Sequence, residues 1–218
     1  MLHEKILLLK RGISDYSEFV EKMIEKSLCG FLNRNENALH DIIDKDEAVA
    51  NKYEIEFDEI CVNYIAQYQP VTKNLRMIIS AVKINNDLER IADHCVNIAQ
   101  NALFVIGRPF ITDMSDISAM GELTVKMFKN SIKAFIDEDL TAAKSVLESD
   151  NDADALKIRI TDELSALAQK DSKTVERSLK LINIAANLER IADLSTNICE
   201  DVIYWFEGEV IKHKFHNN

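Results

Sequence analysis

The sequence contains few of the residues that interrupt helices. Only 5 glycines and 2 prolines occur among its 218 residues. An all-β chain needs turn residues roughly every 8–12 positions, and a βαβ chain needs a turn at each change of element. The sequence therefore excludes both classes and predicts an all-α protein built from long helices.

Other absences exclude whole classes of function. The chain has 37 acidic and 26 basic residues, a net charge of −11, and no basic run, so it lacks the clustered Lys and Arg that bind nucleic-acid phosphates. No apolar run approaches the roughly 20 residues of a membrane span, and none resembles a signal-peptide core. We therefore expect a cytoplasmic protein. The cysteines form no C-x-x-C pair and are expected to be reduced, mostly in the core: Cys29, Cys61, Cys95 and Cys199.

Motifs for catalysis are missing as well. Neither G-x-x-x-x-G-K-[ST] nor G-x-G-x-x-G occurs, and no Glu is followed by His at the spacing of di-iron bundle enzymes. His94 falls on the side of its helix away from the acidic residues and is expected at the surface, while His213 and His216 lie in a polar tail. The sequence predicts a protein that is not an enzyme.

An internal duplication organises the chain. The segment LERIAD at 88–93 recurs at 188–193, and both copies continue to Asn-Ile four residues later. Upstream, three residues recur at a spacing of 104: Met23, Ser27 and Phe31 match Met127, Ser131 and Phe135. The chain is therefore a tandem repeat whose second copy is shorter before its last helix.

Each repeat is predicted to form three helices. The helical stretches are 14–43, 46–67 and 72–104 in the first half, and 119–148, 150–169 and 173–207 in the second. Long helices joined by short turns must run antiparallel to bury their apolar stripes. The predicted fold is a tandem duplication of an antiparallel three-helix bundle with six long helices. The first bundle covers 1–106, a linker 107–118, and the second bundle 119–218.

Pairs of acidic residues recur beside the apolar stripes of these helices. Each LERIAD segment carries one pair at i and i+4, and the helix before it carries another. The eight residues are Glu54, Asp58, Glu89 and Asp93 in the first half, and Asp150, Asp154, Glu189 and Asp193 in the second. If adjacent helices bring these flanks together, four carboxylates converge in each bundle. Such a cluster must stay hydrated in ordinary salt bridges, take up protons, or bind cations.

The repeated segments resemble the paired signature of the PhoU family of phosphate-transport regulators. The similar stretches are LERIADHCVNIA (88–99), LERIADLSTNICE (188–200), QYQPVTKNLR (67–76) and NICEDVIYWFEGE (197–209). The family fold is two related three-helix bundles, and its E(D)-x-x-x-D motifs bind multinuclear iron or zinc. The resemblance therefore implies that the eight acidic residues are metal ligands. Oxygen ligands are also compatible with Mg²⁺, Ca²⁺ or Mn²⁺.

The two acidic sets are not in register along the repeat. Ile158 stands at the position of Glu54, Asp162 at that of Asp58, and Ala50 opposite Asp154. The two sites are therefore expected to differ in composition, with Asp162 as an alternative ligand.

The resemblance also implies a function. It is that of a cytoplasmic negative regulator of phosphate uptake and phosphate-starvation signalling. The protein would be an adaptor between the ATPase of the phosphate ABC transporter and the membrane sensor histidine kinase, and would reach the membrane only through these partners. A homodimer is expected, and Trp205 and Phe206 are either contact residues or core. Two alternatives remain: a metal-free helical scaffold, and, less favoured, a carboxylate-bridged metalloenzyme.

Overall fold

The computed structural model describes residues 2–208, which contain six helices of 22 residues or more and no strand. The helices are α1 Leu2–Leu32, α2 Glu36–Asp41, α3 Glu47–Tyr68, α4 Thr72–Ile106, α5 Ser115–Asp137, α6 Leu140–Lys170 and α7 Val175–Glu207. A π-helical turn, Ile42–Asp46, joins α2 to α3, and a 3-10 turn, Ser172–Thr174, precedes α7. The all-α fold predicted from the scarcity of glycine and proline is confirmed.

The two bundles meet along α4 and α7, which are antiparallel. Ser80 and Lys83 of α4 contact Asp201 of α7, whereas His94, later in α4, contacts Asn187, earlier in α7. This register sets the two LERIAD segments against each other at the middle of the interface. One bundle comprises α1, α3 and α4, and the other α5, α6 and α7.

The apolar stripe of each signature helix is buried, as its spacing predicts. Its members are Leu88, Ile91, Ala92, Cys95, Ile98 and Ala99 on α4, and Leu188, Ile191, Ala192, Ser195, Ile198 and Cys199 on α7. Full burial of each large aliphatic side chain stabilises the fold by about 1.5–3 kcal/mol. Because these stripes are buried, the acidic residues beside them are held at the edge of the core.

The first break in each repeat lies earlier than predicted. The helices expected to end at 43 and 148 end at Leu32 and Asp137 instead. Asn35 and Asp139 then cap the next helices by accepting hydrogen bonds from first-turn N–H groups. The apolar periodicity continues across both breaks, so the pattern alone did not separate the helices.

The C-terminal aromatic residues belong largely to the core. Trp205 is only 3% exposed, and its ring lies 5.6 Å from that of Phe135 and 4.4 Å from that of Phe206. Of the two alternatives for Trp205, core packing is therefore the one observed. Three of the four free cysteines are buried and Cys29 is exposed, whereas His213 and His216 lie outside the described residues. None of the helices within residues 2–208 is long and apolar enough to cross a bilayer.

Candidate functional site

The first acidic cluster lies where α3 packs on α4. It consists of Glu54 and Asp58 on α3 and Glu89 and Asp93 on α4. The Asn85 side-chain amide donates to the backbone carbonyl of Glu54 at 2.9 Å and to Asp58 Oδ1 at 3.0 Å. This buried amide sets the register between the two helices and thereby brings Glu54 close to Glu89.

The carboxylates of the first cluster are close enough to repel one another. Burial raises the pKa of Glu89, and the charges of Asp93 and Glu54 act in the same direction. The neighbouring Arg90 only partly opposes this effect, because its guanidinium pairs with Asp87 at 3.2 Å. The cluster therefore carries negative charge that the nearby cations do not balance.

The second acidic cluster lies between α6 and α7. Its members are Asp150, Asp154, Glu189 and Asp193. Burial raises the pKa of Asp193 to about 6, helped by the charges of Glu189, Asp150 and, more weakly, Asp154. Arg190, 3.3 Å from Asp193, lowers it only in part. The structure thus brings the four predicted residues of this half together.

Lys157 distinguishes the second cluster from the first. Its ammonium group donates to Glu189 Oε1 at 2.6 Å. The other oxygen, Glu189 Oε2, is buried without a hydrogen-bond partner, and its nearest cation is Arg190 Nε at 3.7 Å. Tyr53 occupies the position equivalent to Lys157 in the first repeat. One cluster therefore contains an internal cation where the other contains an aromatic ring.

The register mismatch predicted from the repeat has a structural counterpart. Ile158, which replaces Glu54, is 61% exposed. It lines a cavity of about 460 Å³ together with Asp154, Asp162 and Glu189. Asp162 therefore borders the same space as two of the predicted ligands, and it stays an alternative ligand of the second cluster.

His94 lies at the interface between the bundles, so its expected surface position is wrong. The side chain is half-buried, with Nδ1 2.8 Å from Asn187 Oδ1. It lines a cavity of about 240 Å³ with Asp150, Asp193 and Arg190. The wheel of a single helix could not reveal this position, because the second repeat covers that face of α4.

Buried carboxylates between the bundles were missed by sequence reasoning. Asp201 is 2% exposed and pairs with Lys83 at 2.8 Å, and Asp87 is 7% exposed and pairs with Arg90. Both pairs border a cavity of about 410 Å³ that also reaches Asp58. The only feature of the sequence that could have indicated this burial is the position of Asp201 directly before an apolar run. The Lys83–Asp201 pair joins α4 to α7, whereas the Asp87–Arg90 pair lies within α4.

The donor chemistry of both clusters suits hard cations, which prefer carboxylate oxygen. Within residues 2–208, however, no group of three or more His, Cys, Asp or Glu side chains is arranged to hold a metal ion as it stands. Existing bonds, such as those from Lys157 to Glu189 and from Asn85 to Asp58, engage oxygens that a cation would use. Glu189 Oε2, which accepts no hydrogen bond, and the mutual repulsion of the carboxylates nevertheless fit a cation.

Comparison with known proteins identifies the family. The family model described as "PhoU domain" matches residues 13–102 and 117–202. The chain belongs to the PhoU family. The two matched segments contain both LERIAD signatures and all eight residues of the acidic clusters, and they confirm the duplication read from the sequence.

PhoU relatives match over nearly the whole chain. A Thermotoga maritima protein named phosphate-specific transport system accessory protein PhoU homolog 2 is 32% identical over 97% of this chain and 90% of its own length. A PhoU homolog from Aquifex aeolicus is also 32% identical, over 94% of this chain and 92% of its own length. The crystal structure of PhoU from Pseudomonas aeruginosa superposes with a TM-score of 0.92 at 26% identity, covering 96% of this chain and 100% of that one.

Proposed function

We propose that this PhoU-family protein is an accessory protein of a phosphate transporter. In the finer form of the proposal it is a cytoplasmic negative regulator of phosphate uptake and phosphate-starvation signalling. It binds the ATPase of the phosphate ABC transporter and the membrane sensor histidine kinase, as a homodimer. The observation that carries the proposal is the match of both repeats to relatives that bear the phosphate-transport name over nine-tenths of their length.

The shape and charge of the molecule are compatible with an adaptor. At about 1.5 Å per residue, the 33 residues of α7 extend over about 50 Å, and its packing against α4 makes this length rigid. The net charge of −11 disfavours nucleic acid and anionic lipid surfaces as direct partners. Its direct partners are therefore proteins, and it reaches the membrane through them.

The same proposal assigns metal ions to the acidic clusters. The ligands of the first site are Glu54, Asp58, Glu89 and Asp93, and those of the second are Asp150, Asp154, Glu189 and Asp193. Multinuclear iron or zinc is the expected occupant, while Mg²⁺, Ca²⁺ and Mn²⁺ suit the same oxygen donors. The support is physical: a cation would neutralise carboxylates that repel one another and would bind Glu189 Oε2, which accepts no hydrogen bond. Bound there, it would stabilise and shape a surface for partners.

Binding to the purified transporter ATPase tests the proposed function. We expect the full-length protein to retain the ATPase of the phosphate transporter on an affinity column. It should not retain the ATPase of an ABC transporter for a different substrate from the same organism. A variant with Glu89→Gln, Asp93→Asn, Glu189→Gln and Asp193→Asn, compared in the same experiment, measures how much the clusters contribute.

Different results would contradict the adaptor function and the requirement for cations. Failure to bind the phosphate-transporter ATPase, or equal binding to both ATPases, would contradict the adaptor function. Full binding by the variant would leave the adaptor intact and remove any requirement for cations in this interaction.

A further inference from the structure

Three basic side chains converge where the linker after α4 meets the start of α7. Arg108 lies just after the end of α4, Lys173 lies in the 3-10 turn, and Arg177 lies in the first turn of α7. Together with Pro109 and Glu176 they line a cavity of about 250 Å³. The three cations come from two segments that are distant in the sequence, so the sequence itself contains no basic run at this place.

Backbone carbonyls hold both guanidinium groups of this cavity in place. Arg177 donates from Nη1 to the carbonyl of Pro109 at 2.9 Å and from Nη2 to that of Lys173 at 3.2 Å. Arg108 donates to the carbonyl of Phe104 at 3.0 Å, and its guanidinium lies 4.0 Å from the centroid of the Phe104 ring. A guanidinium has further N–H donors, and those of the two arginines bond to no other residue within 2–208. The cavity is therefore lined by two fixed groups with donors to spare.

The positive charge around this cavity is not balanced by ion pairs. In the part of the chain that the structure describes, Arg108, Lys173 and Arg177 form no ion pair with a carboxylate. Lys129 of α5, by contrast, pairs with two carboxylates. Glu176 is the only carboxylate among the described residues that line the cavity. Three positive charges against one negative charge leave a net charge of +2 here, in a chain whose net charge is −11.

We propose that this cavity binds a phosphate group, supplied either as inorganic phosphate or as a phosphate monoester. The planar fork of donors on a guanidinium matches two oxygens of a phosphate, and a Lys ammonium adds a point charge. A phosphate group carries about 1.5–2 negative charges at neutral pH, which matches the net charge of the lining, whereas a carboxylate carries only one. At about 30 Å³ per water molecule, the cavity has room for a tetrahedral oxyanion together with several waters.

This inference goes beyond the proposed function and depends neither on the transporter partner nor on the cation sites. The test therefore uses metal-free full-length protein, so that phosphate cannot bind through a cation in the acidic clusters, and no partner protein is present. Low ionic strength is needed, because salt screens exposed charges.

Phosphorus NMR of the ligand measures the binding, because association with the protein broadens the phosphate resonance. Inorganic phosphate and glycerol phosphate are examined separately, and acetate at the same concentration is the competing anion. We expect saturable broadening with at least one phosphate ligand, and acetate should not reverse it. Arg177→Gln should weaken binding by about tenfold, because the phosphate loses a charged hydrogen-bond donor. Arg11→Gln, at an exposed position of α1, is the matched control and should bind as the wild type does.

Glu176→Gln provides a change in the opposite direction. It removes the carboxylate of the lining and leaves both arginines in place, so phosphate binding should become several-fold tighter. This variant keeps the proposal testable should Arg177→Gln fail to fold, since Arg177 also connects the linker to the 3-10 turn.

Binding that Arg177→Gln weakens and Glu176→Gln strengthens would support the site, and the tighter of the two ligands would identify the source of the phosphate group. The proposal is overturned if neither phosphate ligand binds, if acetate competes as well as phosphate, or if Glu176→Gln leaves the affinity unchanged. Equal losses in Arg177→Gln and Arg11→Gln would overturn it too, because binding would then follow overall charge. None of these results bears on the proposed transporter function, which is measured with the ATPase.

Discussion

Asp193 illustrates how the second cluster changes the chemistry of a single carboxylate. Partial burial and three acidic neighbours raise its pKa to about 6. Because Arg190 pairs with it from the exposed side, the repulsion is reduced but not removed. At neutral pH the ionised form of this side chain therefore opposes folding unless a cation is bound.

Replacing Asp193 with Asn should stabilise the metal-free protein at neutral pH. Below about pH 4 the Asp193 carboxyl is protonated in both the folded and the unfolded protein, so it does not change the free energy of unfolding. Between about pH 4 and 6 the folded state keeps a proton that the unfolded state has lost, so stability falls as the pH rises. Above pH 6 the carboxylate is ionised in both states, and its repulsion by the cluster lowers the free energy of unfolding by about 1 kcal/mol once solvent screening is allowed for. Thermal melts at pH 4, 6 and 7.5 measure the difference.

The control for this substitution is Asp152→Asn, at an exposed position of the same helix pair. We expect it to follow the wild-type pH dependence. If Asp193→Asn is instead destabilised equally at every pH, its ion pair with Arg190 outweighs the repulsion, and our description of the cluster is wrong.

At the scale of elements, helix caps determine where the acidic pairs lie. The break before α6 occurs at Asp139, whose side chain accepts hydrogen bonds from the N–H groups of Thr141 and Ala142 at 2.9 and 3.1 Å. The early break makes α6 long enough to carry both Asp150 and Asp154 within one continuous helix. The cap therefore helps to define the second cluster.

Asp139→Ala should destabilise the protein by about 1 kcal/mol, because two first-turn N–H groups lose their acceptor. Urea unfolding monitored by circular dichroism measures the change. Asp152→Ala, in the interior of α6, is the control and should leave stability unchanged or slightly higher, since Ala favours helix. Equal losses in both variants would mean that the cap contributes nothing specific.

The sequence predicted helices better than it predicted their ends. Apolar periodicity identified the buried stripes of α4 and α7, because burial against neighbours requires that spacing. It missed the breaks at Arg34 and Glu138, where the backbone adopts positive φ, because apolar residues continue on both sides. The sequence suggested that the acidic pairs converge, but it did not reveal the bonds of Lys157 and Asn85 that now engage them.

At the scale of the whole molecule, the contact between α4 and α7 unites the two repeats. Its buried charges, such as Asp201 with Lys83, and the position of His94 depend on both halves at once. The sequence of one repeat alone does not show which of its residues the other repeat will cover. For this reason the sequence did not predict the interface.

Lys83→Met should destabilise the protein by about 1–3 kcal/mol, because the buried Asp201 carboxylate loses a charged partner while the methionine stem preserves packing. Since both bundles share this interface, we expect a single unfolding transition at a lower urea midpoint. Lys144→Met, at an exposed position of α6, is the control. Two separate transitions in the wild type would show that the bundles are independent.

We propose that the two acidic clusters, repeated with the PhoU signature, bind cations. Elemental analysis of protein purified without chelators tests it most directly. The cluster variant carries Glu89→Gln, Asp93→Asn, Glu189→Gln and Asp193→Asn. The control loses the same charge at exposed acids through Glu56→Gln, Glu59→Gln, Glu148→Gln and Asp152→Asn. We predict several equivalents of iron or zinc in the wild type and control, and almost none in the cluster variant. Equal metal content in all three proteins, including none at all, would contradict the account.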